Sequence, residues 1–155
     1  MSDSLKRPRT LAPPPLVYAT GLLLSWWLEK KFPLGFTPTP ALDSAGRALI
    51  GLGVALMLWA VWVIWRHHTT INPYAGASTL VTTGPFAFSR NPIYLADVVV
   101  YVGIMLLLGS FWPLVFAPLV WVIMRYGVIL HEEAHLMAKF GAAYSKYCAK
   151  VRRWI

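Results

Sequence analysis

The fold is decided by the stretch NPIYLADVVVYVGIMLLLGSFWPLVFAPLVWVIMRYGVIL, which runs from Asn91 to Leu130. It contains two apolar runs, Ile93–Gly109 and Phe111–Leu130, and the break between them falls at Gly109-Ser110. The hydrocarbon core of a bilayer is about 30 Å thick and is crossed by a helix of about 20 residues. In lipid, the backbone polar groups must also be satisfied within the segment, which favours helices. The stretch therefore predicts two transmembrane helices joined by a tight hairpin.

Two further apolar runs, Leu16–Leu28 and Gly46–Trp65, precede this stretch and bring the expected number of transmembrane helices to about four. Hydrophobic residues make up 57% of the 155 residues and charged residues only 13%, while the mean hydropathy is +0.57. A soluble domain of this size cannot bury so much apolar surface. The single cysteine excludes an internal disulfide and a cysteine metal cluster. The predicted fold class is an all-α integral membrane protein.

The C-terminal part, 131–155, has a different pattern. Its apolar residues recur at steps of four, four, three, four and three, which is one face of a helix. Basic residues occupy another face, so we expect an amphipathic helix lying on the membrane interface. The chain then forms a single domain with a polar tail at 1–13, a loop at 66–91 and this last helix. The residues of the apolar face are Leu136, Phe140, Tyr144, Tyr147, Val151 and Trp154.

Basic residues predict the orientation in the membrane. With four spans, the tail, the 66–91 loop and the C-terminal helix lie on one side, and that side carries most of the lysines and arginines. The positive-inside rule places this side, with both termini, in the cytosol. We attribute the net charge of +8 to contact with anionic lipid headgroups rather than with nucleic acid, because the basic residues flank apolar spans.

The third apolar run begins with residues that are typical of a helix start. Asn91 is a favoured N-cap, and Pro92 fits the first helical position. The helix would point free N–H groups and the positive end of its dipole toward the loop, where Arg90 adds a cation. This corner would attract a carboxylate or a phosphate. The same three residues are also typical of a plain capped helix whose arginine reaches the headgroups.

Three acidic residues allow two interpretations each. Glu132 and Glu133 are favourable in the first turn of a helix, and they could equally bind an ammonium group or sugar hydroxyls. Asp97 lies one to two turns inside the third span, where an ionisable side chain generally faces a bundle interior or a cavity. It either lies in a substrate chamber with Tyr101, binding a cationic headgroup or accepting its proton, or pairs with Arg125 or a backbone group inside the bundle.

Two motifs of the chain match a known pattern. They are LVTTGPFAFSRNPIYLADV, from Leu80 to Val98, and EEAHLMAKFGAAYSKYCAKVRRWI, from Glu132 to Ile155. In this order and separation they resemble the isoprenylcysteine carboxyl methyltransferase family and its bacterial and phospholipid methyltransferase relatives. The matching positions are Leu80-Val81, Gly84-Pro85-Phe86, Arg90-Asn91-Pro92-Ile93-Tyr94, Glu132-Glu133, Leu136, Phe140-Gly141, Tyr144 and Tyr147.

The resemblance implies an integral membrane methyltransferase that binds S-adenosylmethionine (SAM) in a cytosolic pocket covered by the C-terminal helix. Arg90 suits the carboxylate of SAM, and an acid such as Glu132 or Glu133 suits its ammonium. Leu80, Val81, Phe86 and Tyr94 would offer an apolar slot for the adenine. The implied catalytic residues are Arg90 and Glu132, and the implied cofactor-binding residues are Ser78, Thr79, Leu80, Val81, Gly84, Phe86, Arg90, Asn91, Pro92, Ile93, Tyr94, Glu132 and Glu133.

The methyl acceptor is left open by the resemblance. Isoprenylcysteine enzymes usually have histidine where this chain has Asn91, and eukaryotic members carry an arginine about one turn before the paired acids, where this chain has Val128. A lipid amine, a prenylcysteine carboxylate, another lipophilic acid and a small thiol all remain candidates. Asp97, Tyr101 and Arg125 are the candidate substrate residues. An ammonium acceptor must lose a proton before transfer, whereas a carboxylate or a thiolate needs no general base.

Two other classes of function are considered. His131-Glu132-Glu133-Ala134-His135 has the spacing of the zinc motif HExxH, which would make the chain an intramembrane metalloprotease with Glu132 as general base. No third ligand is evident, so we expect no metal. The remaining alternative is a non-catalytic membrane subunit. A soluble Rossmann-type methyltransferase is excluded, because the only Gly-x-Gly, Gly51-Leu52-Gly53, lies inside an apolar run.

Overall fold

The structure is a computed structural model that describes residues 12–68 and 78–155. These residues form helices joined by short connections and contain no β-strand beyond one isolated bridge between Gly35 and Ser110. The all-α prediction is confirmed. The helices are α1 (Pro14–Lys31), α2 (Pro40–Arg66), α3 (Pro92–Leu108), α4 (Trp112–Phe140) and α5 (Ala142–Lys150), with a 3₁₀ turn at Gly84–Ala87 before α3.

Two of the helices are long and apolar enough to cross a membrane. They are α2, with 27 residues, and α4, with 29 residues. The α3 helix is apolar but shorter, with 17 residues, and α1 ends in the charged residues Glu29, Lys30 and Lys31. Two candidate spans are thus present among the four apolar runs of the sequence.

Glycines bring α2 and α3 into close contact. An added Cβ on Gly46 would lie 2.9 Å from the carbonyl oxygen of Gly103, and a Cβ on Gly103 would lie 2.8 Å from the carbonyl oxygen of Gly46. Seven residues along α2, a Cβ on Gly53 would lie 2.9 Å from the carbonyl oxygen of Ala96. Helix pairs in membranes use small residues in this way, because close backbone approach maximises van der Waals contact. This packing fixes α3 against α2.

Another face of α3 packs on α1 and α4 and forms the main hydrophobic core. Met124, Val128 and Ile129 of α4 are almost completely buried there. Large apolar side chains on the outside of the helices, such as Trp65 and Leu119, are exposed, which suits contact with lipid tails. The other core residues are Val17 and Tyr18 of α1, Tyr94 and Tyr101 of α3, and Val120 of α4.

The predicted hairpin between the third and fourth runs is present. Gly109 ends α3 in the left-handed conformation, with φ 59° and ψ 36°, which glycine adopts without the usual Cβ penalty. The Ser110 hydroxyl then donates a 2.6 Å hydrogen bond to the Glu29 carboxylate, and that carboxylate also accepts from the Leu34 N–H at 3.1 Å. The α1–α2 connection and the α3–α4 hairpin are therefore joined at one end of the bundle.

The structure corrects the predicted single helix over 131–155. Residues up to Phe140 continue α4, Gly141 interrupts the chain with φ 48°, and α5 follows it. The interruption arises because this positive φ suits glycine and ends the helical hydrogen bonding. The apolar face still forms, but it packs on the protein: Tyr144, Tyr147 and Val151 are buried against Leu80 and neighbouring side chains.

The α4 helix contains a π-helical turn at Arg125–Ile129, just before the paired acids. Such turns insert one residue into the helix and are frequent at functional sites. The turn changes the register of Glu132 and Glu133 relative to the apolar part of α4, and its residues Val128 and Ile129 fill the core beside α3.

Candidate functional site

The loop before α3 returns along the end of α2. Residues 69–77 lie outside the described residues, so the site can be followed from Ser78 onward. Ser78 Oγ donates to the His68 carbonyl at 3.2 Å, and the ring of His67 hydrogen-bonds to Thr83 Oγ1 at 2.9 Å. Gly84 opens the 3₁₀ turn with φ 60°, in direct contact with the side of α2. The first half of the described loop is thus anchored to the end of α2 and the residues that follow it.

The segment after α5 lies along the start of α3. The Arg90 N–H donates to the carbonyl of Arg152 at 3.0 Å. The carbonyl of Arg153 accepts from Asn91 Nδ2 at 3.0 Å and from Ser89 Oγ at 3.3 Å. These bonds join two segments that are more than 60 residues apart in the sequence.

These contacts correct one detail of the sequence analysis. Asn91 occupies the N-cap position and Pro92 begins the helix, but the Asn91 side chain makes no capping hydrogen bond. Its amide is used to hold Arg153 instead. The first turn of α3 is therefore left without a side-chain cap, which keeps its N–H groups available for a ligand.

The two predicted acids have different partners. Glu133 forms a bidentate pair with Arg153, whose Nε and Nη2 each lie 2.8 Å from a carboxylate oxygen, and it also lies 3.3 Å from Arg90 Nη1. The hydrogen bonds that Arg153 donates to Glu133 raise the pKa of Arg153, so its charge is fixed. Two arginines therefore surround Glu133, which positions both cations. Its contact with the cofactor stays a prediction.

Glu132 lies on the side of α4 that meets α3. Its Oε1 accepts a 2.7 Å hydrogen bond from the Tyr94 hydroxyl. Tyr94 belongs to the core between α1, α3 and α4, whereas Leu80 packs on the α5 residues Tyr144 and Tyr147. The two sides of the predicted adenine slot are therefore placed in separate clusters.

Arg90 is the most constrained cation of the site. Its Nη1 donates to Cys148 Sγ at 2.7 Å and faces Glu133. Its Nε is buried and has no hydrogen-bond partner among the described residues. A buried N–H of this kind is costly unless a ligand satisfies it.

The α5 helix holds the other side of the loop. The Tyr147 hydroxyl donates to the Phe86 carbonyl at 2.7 Å, and burial raises the pKa of Tyr147 to about 12, so it remains a donor at neutral pH. Sequence reasoning did not assign Cys148, Ser89 and Arg153 to the site. All three residues lie within the two quoted motifs, and that position was the available signal.

The candidate substrate residues do not pair with one another. Asp97 is only 9% exposed, and its Oδ2 has no hydrogen-bond partner in the described ranges 12–68 and 78–155. Arg125 is stacked near the rings of Trp121 and Tyr126, at 5.2 and 5.7 Å, and within those ranges it forms no ion pair with Asp97. The Tyr101 hydroxyl donates to the Pro113 carbonyl at 2.8 Å.

Comparison with known proteins gives the family. The phospholipid methyltransferase family matches residues 42–143, which include α2, α3 and the whole of α4. The chain belongs to this family. It is also similar to human phosphatidylethanolamine N-methyltransferase, with 37% identity over 67 residues, which is 42% of this chain and 34% of the human protein. The chain thus matches about a third of that relative's length, and no solved structure matches it.

Phospholipid methyltransferases use SAM, and the site offers groups that fit its amino-acid end. A carboxylate would suit the Arg90 Nε, which lacks a partner within residues 12–68 and 78–155, and the start of α3, which has no side-chain cap. Glu132, on the neighbouring helix, can accept hydrogen bonds from an ammonium in addition to the bond from Tyr94.

The positions of His131, Glu132 and His135 bear on the zinc motif. His131 is exposed and His135 is buried, and the Glu132 carboxylate is engaged by Tyr94. In the part of the chain that the structure describes, no group of three His, Cys, Asp or Glu side chains could hold a metal ion. The metalloprotease alternative therefore receives no support from the arrangement of these residues.

The ion pairs of Glu133 lead to a stability prediction. Glu133→Gln removes the charge that two arginines share, and we expect it to lower the free energy of unfolding by about 2 kcal/mol, less than for a fully buried pair because these side chains are partly solvated. Thermal unfolding in detergent measures the change. Asp43→Gln is the control, because its pair with Arg47 is exposed and should contribute about 0.5 kcal/mol or less. Equal losses in the two variants would contradict this role of Glu133.

Proposed function

We propose that this chain is a SAM-dependent methyltransferase whose acceptor is the amine headgroup of a membrane phospholipid. One observation carries the proposal: in a phospholipid methyltransferase family member, Arg90 lies at the start of α3 with a buried Nε that lacks a partner among the described residues. The site needs an anionic ligand group there, and the carboxylate of SAM supplies one.

The predicted cofactor residues have distinct tasks in this proposal. Arg90 and the N–H groups of Ile93 and Tyr94 bind the carboxylate, and Glu132 binds the ammonium. The segment Ser78–Val81, with Gly84 and Phe86, covers the remaining apolar part of the cofactor. When bound, SAM supplies a methyl group that its sulfonium has already activated. The protein's contribution is to align the acceptor with that methyl and to exclude water.

The charges near the proposed cofactor site favour one class of methyl acceptor. Asp97, whose Oδ2 has no hydrogen-bond partner among the described residues, lies on α3 five residues beyond Pro92. Val128 stands where eukaryotic isoprenylcysteine enzymes carry an arginine. A site with an extra negative charge and without that arginine favours an ammonium over a carboxylate acceptor. The activity for which the human relative is named, N-methylation of phosphatidylethanolamine, agrees with this preference.

The proposed topology has four membrane-crossing helices with both termini in the cytosol. The basic residues flanking the spans support it, as do the exposed tryptophans Trp26, Trp62 and Trp121 on three different helices, since tryptophan favours membrane interfaces and lipid-facing positions. In this arrangement α5 lies along the cytosolic interface and holds the loop before α3.

A transfer assay tests the proposal. Purified protein in vesicles is incubated with methyl-labelled SAM and either phosphatidylethanolamine or phosphatidylglycerol. We expect label in N-methylated phosphatidylethanolamine only, and a loss of at least about 10-fold in Glu132→Gln, which removes one charged hydrogen bond to the cofactor. Label in a base-labile ester of an added prenylcysteine would instead identify a carboxylate acceptor. No binding of S-adenosylhomocysteine at millimolar concentration would favour a non-catalytic membrane subunit.

A further inference from the structure

The face of α3 that meets α1 and α4 carries three chemically distinctive residues. Tyr94, Asp97 and Tyr101 are separated by three and four positions, so their side chains lie on one face of the helix. All three are buried. The residues that contact α2, Ala96 and Gly103, lie on a different face.

Tyr18 of α1 completes this group. Its ring lies 6.0 Å from the ring of Tyr101 in an edge-on arrangement, and both Tyr18 and Tyr94 are close enough to Asp97 to interact electrostatically with it. Tyr18 lies four residues inside α1 and Asp97 five residues inside α3, or about 6 and 7.5 Å along the helix axes. The two side chains are therefore at a similar depth.

Two of the three tyrosine hydroxyls near Asp97 donate hydrogen bonds to groups other than Asp97. Tyr94 donates to Glu132 at 2.7 Å, and Tyr101 donates to the Pro113 carbonyl at 2.8 Å. Asp97 Oδ2 is left without a hydrogen-bond partner among the described residues, and Arg125 is stacked on aromatic rings instead. A buried carboxylate oxygen without a partner is strongly unfavourable unless a cation or a donor completes it.

We propose that Tyr18, Tyr94, Asp97 and Tyr101 form a headgroup site that binds the ammonium of the lipid acceptor, including its partly methylated forms. The inference rests on the proposed function and identifies residues for its acceptor. The carboxylate supplies the opposite charge and accepts N–H bonds, and the aromatic rings attract a cation through their faces. Because this aromatic attraction needs no N–H group, it persists when methyl groups replace the hydrogens.

Tyr18 belongs to the proposed headgroup site but not to the region that the family matches. It lies outside the matched residues 42–143, yet it packs in the same buried cluster as Tyr94 and Tyr101. We therefore assign to α1 a contribution to acceptor selection in addition to its role in packing.

The test uses two substitutions at different parts of the site. Asp97→Asn removes the charge at constant volume, and Tyr18→Leu removes a ring, with Tyr18→Phe as the variant that keeps it. Asp43→Asn, at an exposed position of α2, is the matched control for loss of one negative charge. The readouts are thermal unfolding, binding of S-adenosylhomocysteine, and calorimetric binding of short-chain phosphatidylethanolamine, its dimethyl form and phosphatidylglycerol.

We expect Asp97→Asn to weaken binding of both amine lipids about 10- to 100-fold, to leave S-adenosylhomocysteine binding unchanged, and to unfold at the same temperature or a higher one. Tyr18→Leu should weaken binding of the dimethyl lipid more than that of the primary amine, and Tyr18→Phe should retain both. Phosphatidylglycerol should bind equally to all variants.

Two failures are distinguishable. If the wild-type protein methylates phosphatidylethanolamine but Asp97→Asn binds and turns over the lipid normally, the headgroup site is wrong and the proposed function stands. If the wild-type protein binds amine lipids through Asp97 but transfers no methyl group, the site stands and the proposed function is wrong. A lower unfolding temperature for Asp97→Asn would show that Asp97 has a structural partner and would overturn the headgroup site.

Discussion

Arg90→Ala is expected to weaken binding of S-adenosylhomocysteine about 100-fold. The guanidinium brings to the start of α3 a buried Nε that has no partner in the part of the chain that the structure describes. A charged hydrogen bond with its ion pair contributes about 1.5 to 3 kcal/mol, or roughly 10- to 150-fold in affinity. Glu133 keeps its bidentate pair with Arg153 in this variant, so the fold should be retained. Calorimetric titration measures the affinity, and thermal unfolding checks the fold.

Two further variants sharpen this result. Arg90→Lys preserves the charge but not the planar fork, and we expect it to recover only part of the affinity. Arg152→Ala removes an equal charge from a neighbouring exposed side chain, while its carbonyl can still accept from Arg90, so its affinity should match that of the wild type. If Arg90→Ala bound the ligand normally, the assignment of Arg90 to the cofactor carboxylate would be wrong.

Gly103→Leu is expected to disrupt the α2–α3 pair and to lower the free energy of unfolding by about 3 kcal/mol or more. A Cβ at this position would lie 2.8 Å from the Gly46 carbonyl oxygen and 3.1 Å from the Ile50 backbone nitrogen. Backbone atoms cannot rotate away as a flexible side chain can, so the helices must separate. Separation would also displace the face of α3 that carries Asp97, and amine-lipid binding should fall with stability.

The matched control is Gly51→Leu. Gly51 lies on α2 between the contacting glycines, but an added Cβ there meets nothing within 4 Å. We expect the substitution to be neutral or stabilising by up to about 1 kcal/mol, because leucine has a better helix propensity than glycine. Thermal unfolding of the two variants in the same detergent measures the difference. Similar losses at both positions would mean that the effect comes from glycine removal in general rather than from the helix contact.

The parts of the fold that sequence predicts well are those with a local cause. The apolar runs gave the helices, Pro92 marked the first residue of α3, and Gly109 marked its end. The continuation of α4 through Glu132 and Glu133 was not predicted, because charged residues there resembled the first turn of a new helix. The helix continues since its backbone bonds are not interrupted until Gly141.

The parts of the site that sequence predicts poorly depend on long-range pairing. The bond between Asn91 and Arg153 joins residues 62 positions apart, and no local pattern distinguishes it from a side-chain cap. The different partners of the two adjacent acids also depend on long-range pairing. Glu132 meets Tyr94 and Glu133 meets two arginines, because consecutive residues point in different directions around a helix.

The hydrogen bonds from Ser89–Asn91 to the carbonyls of Arg152 and Arg153 have a consequence for biosynthesis. The five helices of the described residues precede Arg152 in the chain, so a polypeptide interrupted before this residue would retain all five of them for membrane insertion. It would nevertheless lack both carbonyls that hold the start of α3 and the arginine that balances Glu133. With the proposed cofactor site, we expect such a product to insert into the bilayer without binding SAM. Membrane insertion and acquisition of catalytic competence would then be separate steps in the maturation of this chain.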